Sequence, residues 1–242
     1  MKKKFFFHIL ATVLPVLCAV TVTAMMLYAP DAQPIAMIMK IIKDDVHRKT
    51  PGSDWQKAKR GDRLASKDNL KTGSNAFAIV KFNDNTLLKV RPNSEITIIG
   101  EIAGNVFSKN IELSRGGTDF DVNKQEKEKF EFTTPTSVAS IRGTNGRFTT
   151  DKDSSDYLFI NHGLANLLNL ISQKSTEVGS GQIGISYRDG KVEVRIMTRE
   201  EQNDLQDTGQ LREGGNLQDF EMDFKDNRGK NHKLKIEVQK KK

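Results

Sequence analysis

A strict alternation of side chains is the feature that most constrains the fold of this 242-residue chain. Residues 76–82 alternate between two sets of side chains, each set mostly apolar. A period of two places successive side chains on opposite faces of a β-strand, so this stretch predicts a strand with both faces largely covered. Residues 83–85, Asn-Asp-Asn, predict a turn, because Asn and Asp tolerate positive φ. Alternation resumes in residues 87–90, which completes a predicted β-hairpin.

Similar short strand patterns and turns recur roughly every 8–12 residues along the chain. The sequence therefore predicts an all-β fold of stacked short strands, arranged as a β-solenoid or a sandwich-like domain. We expect His162-Gly163 to form a turn between two of these strands. The predicted core consists of Phe77, Ile79, Val80, Leu88, Val90, Ile98, Leu113, Val122, Phe132, Val138, Ile141, Phe148 and Ile160.

Two different elements are predicted after the strand-rich region. Thr198-Arg199-Glu200-Glu201 is a capping-box pattern, which predicts a short helix near residues 198–207 with only Leu205 to bury. Apolar residues at every second position of 220–224 and 234–238 then predict a C-terminal hairpin with one apolar and one charged face. We expect this hairpin to cover a core or to join another sheet.

The N-terminus has the pattern of an export signal. Three lysines, Lys2 to Lys4, precede an uncharged run from Phe5 to Pro30, and residues 22–24 resemble a cleavage site. The run is also long enough to span a bilayer, so cleavage and a retained anchor both stay open. Either outcome leaves the rest of the chain exported, to the periplasm or elsewhere outside the cytoplasm. A lipoprotein is disfavoured because a small residue does not precede Cys18.

Composition narrows the function classes further. The formal net charge is +7, and without the N-terminal lysines it would be about +4, too little to indicate nucleic-acid binding. The single cysteine lies in the N-terminal apolar run, so the exported part must fold without disulfides. We expect four segments: a signal peptide or signal anchor at 1–24, a linker at 25–34, a β domain at 35–197, and a helix, hairpin and basic tail at 198–242.

One segment carries a family resemblance. Residues 134–148, TPTSVASIRGTNGRF, place Thr-Pro before an apolar run and Arg-Gly-Thr, and this resembles the signature of the FecR domain, an all-β module of bacterial envelope proteins. Residues 55–64 and 70–74, and the strand pair at 77–90, resemble further family motifs in the family's order. Asn85 stands where the family usually has glycine. The resemblance covers about residues 35–185.

The resemblance implies an export-compatible β fold and a tendency toward protein or envelope-polymer binding. In the best-known members a cytoplasmic segment holds a sigma factor, and the outer domain receives a signal from an outer-membrane transporter. Only residues 1–4 could be cytoplasmic here, so we expect an exported, stand-alone FecR-like domain without the anti-sigma segment. Membrane contact is expected only through residues 5–29, if that segment is not cleaved.

Four residues are candidates for partner binding. Arg142, Gly143 and Thr144 belong to the FecR-like signature, and Trp55 is the sole tryptophan, in a polar stretch. Each of these residues could instead have a purely structural role. Gly143 can permit a tight bend, Arg142 can pair with a carboxylate, and Thr144 can begin a strand. Trp55 can be an exposed anchor for a partner or glycan, or a packed core residue.

No catalytic, cofactor or metal site is predicted. Asp151, Asp153 and Asp156 have a spacing that loosely resembles calcium ligands, but the loop lacks the central glycine and closing glutamate of an EF-hand. His47, His162 and His232 do not have metal-ligand spacing. No nucleophile elbow or phosphate loop is present. The sequence therefore predicts a non-enzymatic envelope module that binds a protein in signalling or assembly, with peptidoglycan or polysaccharide binding as the alternative.

Overall fold

The computed structural model describes residues 33–103, 106–123, 129–151, 155–206, 220–225 and 231–236. Most of the described chain is β-strand, which confirms the predicted all-β class. The strands are β1 (Pro34–Ile42), β2 (Val46–Lys49), β3 (Gln56–Lys57), β4 (Arg63–Ala65), β5 (Asp68–Thr72), β6 (Phe77–Phe82), β7 (Leu87–Val90), β8 (Glu95–Ala103), β9 (Val106–Asp121), β10 (Lys129–Thr133), β11 (Ser137–Thr150), β12 (Ser155–Asn169), β13 (Ser175–Gly179), β14 (Gln182–Tyr187), β15 (Val192–Ile196), β16 (Phe220–Lys225) and β17 (Asn231–Ile236), with one described helix, α1 (Arg199–Gln206).

Strands β1 to β15 form a single sheet that folds into two layers. Strand pairing orders the first layer β15-β14-β12-β11-β9-β7-β6-β1-β4. The second layer runs β13-β12-β11-β10-β9-β8-β5-β2-β3. β9 and β10 pair in parallel, whereas their other neighbours in this sheet pair antiparallel. The arrangement is sandwich-like, one of the two predicted arrangements, with a single sheet folded over itself and not closed into a barrel.

Three long strands belong to both layers: β9 has 16 residues, β11 has 14 and β12 has 15. The C-terminal half of β11 pairs with β9 in the first layer, and its N-terminal half pairs with β10 in the second. The expectation of short strands throughout is therefore wrong for these three. The turn predicted at His162-Gly163 is also wrong, because both residues lie inside β12. The His-Gly pair is typical of a turn in which the chain reverses, but here β12 only bends and continues.

The core lies between the two layers and is rich in phenylalanine. Phe132 from the second layer packs against Phe120 and Phe148 from the first, with ring centroids 5.0 and 5.6 Å apart. Phe82 and Phe130 meet edge to face across the same gap, at 6.1 Å. All of the predicted core residues are buried except three, Phe77, Ile79 and Val138, which are half-buried on outer faces.

The predicted helix is confirmed as α1. The Thr198 hydroxyl accepts a hydrogen bond from the Glu201 N–H at 3.2 Å, and the Glu201 carboxylate accepts one from the Thr198 N–H at 2.8 Å. This reciprocal pair is the capping box that the sequence predicts. Leu205 buries itself against Ile183, Ile185 and Met197, which form a second apolar cluster on the outer face of the first layer.

The predicted C-terminal hairpin is also present, as β16 and β17. These strands form a two-stranded sheet of their own, in a register that pairs Phe220 with Ile236 and Met222 with Leu234. The N-terminal predictions for residues 1–32 lie outside the described residues. Within the described part of the chain, no helix is both long enough and apolar enough to cross a bilayer.

Candidate functional site

The FecR-like signature lies where β11 and β12 bend together from one layer to the other. Gly143 has a φ of +61° and Gly163, on the neighbouring strand, has a φ of +103°. The β11–β12 pairing shifts register between Arg142 and Asn145, which marks a β-bulge. Positive φ is a conformation that residues with a Cβ rarely adopt, so glycine is needed at both positions of this bend.

Thr144 holds the bend closed. Its side chain is buried, and its hydroxyl lies 3.1 Å from the Arg142 carbonyl oxygen and 2.9 Å from the Leu164 carbonyl oxygen, to which it can donate. A Cβ added to Gly163 would lie 2.8 Å from that hydroxyl oxygen and 2.9 Å from the Gly143 carbonyl oxygen. Gly143 and Thr144 are therefore part of the framework, and Thr144 lies within β11 rather than beginning a strand.

Arg142 differs from its two neighbours because its side chain is exposed. No carboxylate among the described residues lies within ion-pair distance of its guanidinium, so the predicted ion pair is not seen there. Arg142 borders a cavity of about 10 Å³, which it shares with the ion pair of Asp84 and Lys109. That volume is about enough for one water molecule, too small for an organic ligand.

Exposed apolar side chains lie close to this bend. Leu164 pairs with Arg142 and with Gly179 and is 50% exposed, and Ile196 pairs with Gln182 and is 74% exposed. Gly179 and Gln182 flank the tight β13–β14 turn and are joined by a 2.7 Å hydrogen bond, so the two apolar side chains lie on either side of that turn. We call Arg142, Leu164 and Ile196 the bend surface.

Trp55 is not part of the bend surface. It lies beside β3, at the far edge of the second layer, separated from β11 by several strands. Its indole is half-buried, and the Lys71 ammonium lies 4.2 Å from the ring centroid, a cation–π contact. Lys71 therefore already covers one face of the indole. The structure brings three of the four candidate residues together and leaves Trp55 elsewhere.

Sequence reasoning missed the role of Asp156. Its buried Oδ2 accepts hydrogen bonds from three hydroxyls, those of Thr134, Thr136 and Ser137, each at 2.5 Å. These donors form the Thr-Pro turn of the signature, between β10 and β11. Oδ1 has no hydrogen-bond partner among the described residues. The spacing considered for calcium therefore includes a residue that anchors a turn, and no cluster of three metal-ligating side chains occurs in the described part of the chain.

A charged network on the outer face of the first layer was also missed. Asp119 is fully buried, and its carboxylate accepts hydrogen bonds from Arg147 at 2.5 Å and from Arg91 at 3.2 Å. Arg147 also pairs with Asp204 of α1 and donates to the Asp204 carbonyl oxygen at 3.0 Å. Burial acts to raise the pKa of Asp204, but the hydrogen bond and charge of Arg147 outweigh it and the pKa is lowered. This network fixes α1 on the sheet.

Residues 68–161 match the family model described as FecR protein, a stretch that begins at β5, includes the Gly143 part of the bend and ends within β12. Two crystal structures of a candidate anti-sigma factor from Parabacteroides distasonis are similar in fold, each with a TM-score of 0.47 and 12% identity. The similarity covers 55% of this chain and 61% of each of those chains. No curated protein matches the chain.

FecR proteins are envelope-associated regulators rather than enzymes. The Thr-Pro turn, the apolar run and the Arg-Gly-Thr bend that carry the sequence resemblance all fall inside the matched stretch, and each has a defined place in the fold. Residues 68–161 of the chain therefore match the FecR family model over the stretch that contains this signature.

Proposed function

We propose that this protein is a non-enzymatic binding module of the cell envelope that engages a protein partner in signalling or assembly. The observation that supports the proposal is the bend surface, where Leu164 and Ile196 expose large apolar side chains beside the FecR signature. Exposed apolar groups gathered beside a rigid bend are typical of a protein-binding surface. The exposed Arg142 adds a side chain type that is enriched in interfaces.

The neighbouring edge strand offers the partner a second kind of contact. Among the described strands, β15 pairs only with β14, so its outer edge is open to strand addition. Its charged side chains are already engaged on the module itself: Glu193 pairs with Lys191, and Arg195 pairs with Glu201 at 2.7 Å. The partner would therefore meet backbone groups along β15 and the exposed Ile196 at its end.

The envelope location is supported by the N-terminal pattern of lysines and a long apolar run, and by the family. The regulatory family also supports a protein partner rather than a small substrate. The polymer alternative depends on Trp55, and a stacked sugar would have to use the indole face that Lys71 leaves uncovered. No further observation favours polymer binding.

The test is in-cell cross-linking of the tagged full-length protein, followed by mass spectrometry of the captured proteins. Ile196→Asp places a charge on the bend surface, and Ile171→Asp is the matched control, because Ile171 is 57% exposed in the β12–β13 turn. We expect one envelope protein to be captured by the wild type and by Ile171→Asp but lost with Ile196→Asp. Capture of cell-wall fragments alone, or equal capture by both variants, would contradict the proposal.

A further inference from the structure

An apolar strip lies on the outer face of the first layer, away from the bend surface. Met37 of β1 pairs with Lys81 of β6, and Lys81 pairs with Leu87 of β7, so their side chains share one face. Phe77 and Ile79 lie on the same face of β6, four and two residues before Lys81. We call Met37, Phe77, Ile79 and Leu87 the outer strip. Met37 is 42% exposed and the other three are half-buried.

Helix α1 lies on this same face. Cross-strand pairs lead from the outer strip to the helix: Ile79 of β6 pairs with Lys89 of β7, and Lys89 pairs with Asp119 of β9. Asp119 in turn pairs with Arg147 of β11, whose side chain binds Asp204 of α1. Asp204 is two residues before the end of the helix at Gln206. The chain therefore leaves α1 above β11, only three strands from β6. At about 4.8 Å between neighbouring strands, β6 lies roughly 14 Å away.

The segment that follows has the length and chemistry to cover the strip. Residues 207–219 can span up to about 43 Å, which exceeds the required distance. They lead to β16 and β17, whose sequences alternate strictly between apolar and charged residues in the register already described. An isolated two-stranded hairpin is marginal in water, so its apolar face needs a surface to pack on.

Alternation also determines which face of the hairpin can dock. The apolar residues 220, 222 and 224 form one set of β16, and the acidic residues 219, 221 and 223 form the other. Docking through the apolar set therefore leaves the acidic set on the side away from the sheet. We infer that the C-terminal hairpin of this chain docks its apolar face on the outer strip, and so completes the outer face next to α1. This contact is independent of the bend surface.

Photo-cross-linking of the full-length protein tests the inference. p-Benzoylphenylalanine in place of Met37 should cross-link to a peptide within residues 216–236 of the same chain. The same probe in place of Ile171, which lies in the β12–β13 turn, should not reach that peptide. A mixture of isotopically light and heavy protein separates contacts within one chain from contacts between copies. Cross-links between copies, or to other proteins, or none to the hairpin would overturn the inference.

A matched pair of hairpin variants tests its orientation. Met222→Asp places a charge at a position of the apolar set, and Lys225→Asp places the same charge at a position of the alternate set. We expect Met222→Asp to lower the yield of the Met37-site cross-link by about tenfold, because one large apolar contact is lost. Lys225→Asp should leave the yield nearly unchanged. Equal effects of the two variants would contradict docking through the apolar face.

Discussion

The guanidinium of Arg147 lies 2.5 Å from the carboxylate of Asp119, although 28 residues separate the two in sequence. Asp119 is fully buried and Arg147 is 5% exposed, so both charges have left water. A buried charge is tolerated only when it is paired and hydrogen-bonded, and Arg147 meets that need while also holding α1 through Asp204. The pair therefore links the central strands to the one described helix.

Replacing Arg147 with methionine should destabilise the protein strongly. Asp119 would keep Arg91 at 3.2 Å and Lys89 at 3.9 Å but would lose its closest partner. Removing one member of a buried ion pair typically costs about 3–5 kcal/mol in the free energy of unfolding. Urea denaturation followed by circular dichroism measures it. The control is Arg195→Met, which removes a more exposed ion pair with Glu201 and should cost less than about 1 kcal/mol.

Acid should weaken the capping of α1. The hydrogen bond from Arg195, helped by the Thr198 N–H and opposed by partial burial, lowers the pKa of Glu201 from 4.5 to about 2. Because the folded-state pKa is the lower one, the carboxylate contributes stability above the unfolded value and loses it as pH falls toward 2. The difference in unfolding free energy between wild type and Glu201→Gln should be constant near neutral pH and shrink between about pH 4.5 and 2.

Glu200→Gln is the matched control at neutral pH, where it should change the free energy of unfolding by less than about 0.5 kcal/mol. Glu200 is the exposed neighbour of Glu201 on α1, and its carboxylate accepts no hydrogen bond from another described residue. A pH-independent difference for Glu201→Gln would show that the capping contact is absent in solution.

Because other atoms approach Gly163 closely, an alanine there should destabilise the protein more than an alanine at Gly52. Gly163→Ala should cost about 2–4 kcal/mol, because the new Cβ would meet Thr144 and the Gly143 carbonyl oxygen at a positive φ. Gly52 also has a positive φ, +78°, but a Cβ there would meet nothing within 4 Å. Gly52→Ala should therefore cost only about 1 kcal/mol. Thermal unfolding of both variants measures the difference, and equal losses would contradict the described bend.

The anchor of the Thr-Pro turn predicts a further loss of stability. Asp156→Ala would leave the hydroxyls of Thr134, Thr136 and Ser137 without their shared acceptor. Unpaired polar groups in a largely buried site should cost about 2–4 kcal/mol in total. Asp151→Ala, at an exposed position just after β11, should change stability by less than about 0.5 kcal/mol. Chemical denaturation of the two variants compares them, and a small effect of Asp156→Ala would rule out the anchoring role.

Patterns within a few residues of sequence predicted many of the strands and the helix, but not the partners of the buried carboxylates. Alternation identified β6 and β7, and the capping box identified α1, because both signals lie within a few residues of sequence. The bend at Gly163 looked like a turn because a glycine beside a polar residue has the same composition in either setting. The partners of Asp119 and Asp156 lie about 20 or more residues away, and sequence spacing carries no information on such contacts.

The candidate site was predicted only in part for the same reason. The family signature located Arg142, Gly143 and Thr144, yet only Arg142 presents its side chain to solvent. Leu164 and Ile196 gave no signal, since each is one apolar residue in a strand pattern. Their exposure depends on where β12 bends and where the sheet ends at β15, which are properties of the assembled sheet.

The three long strands also determine how the domain can come apart. β9, β11 and β12 each contribute one half to the first layer and the other half to the second. Neither layer therefore contains a complete set of strands that could stay folded alone. Melting should therefore be a single cooperative transition for the whole sheet rather than two successive ones. A proteolytic cut near Gly143 or Gly163 would divide strands that both layers share, so the two fragments would be expected to fold only together.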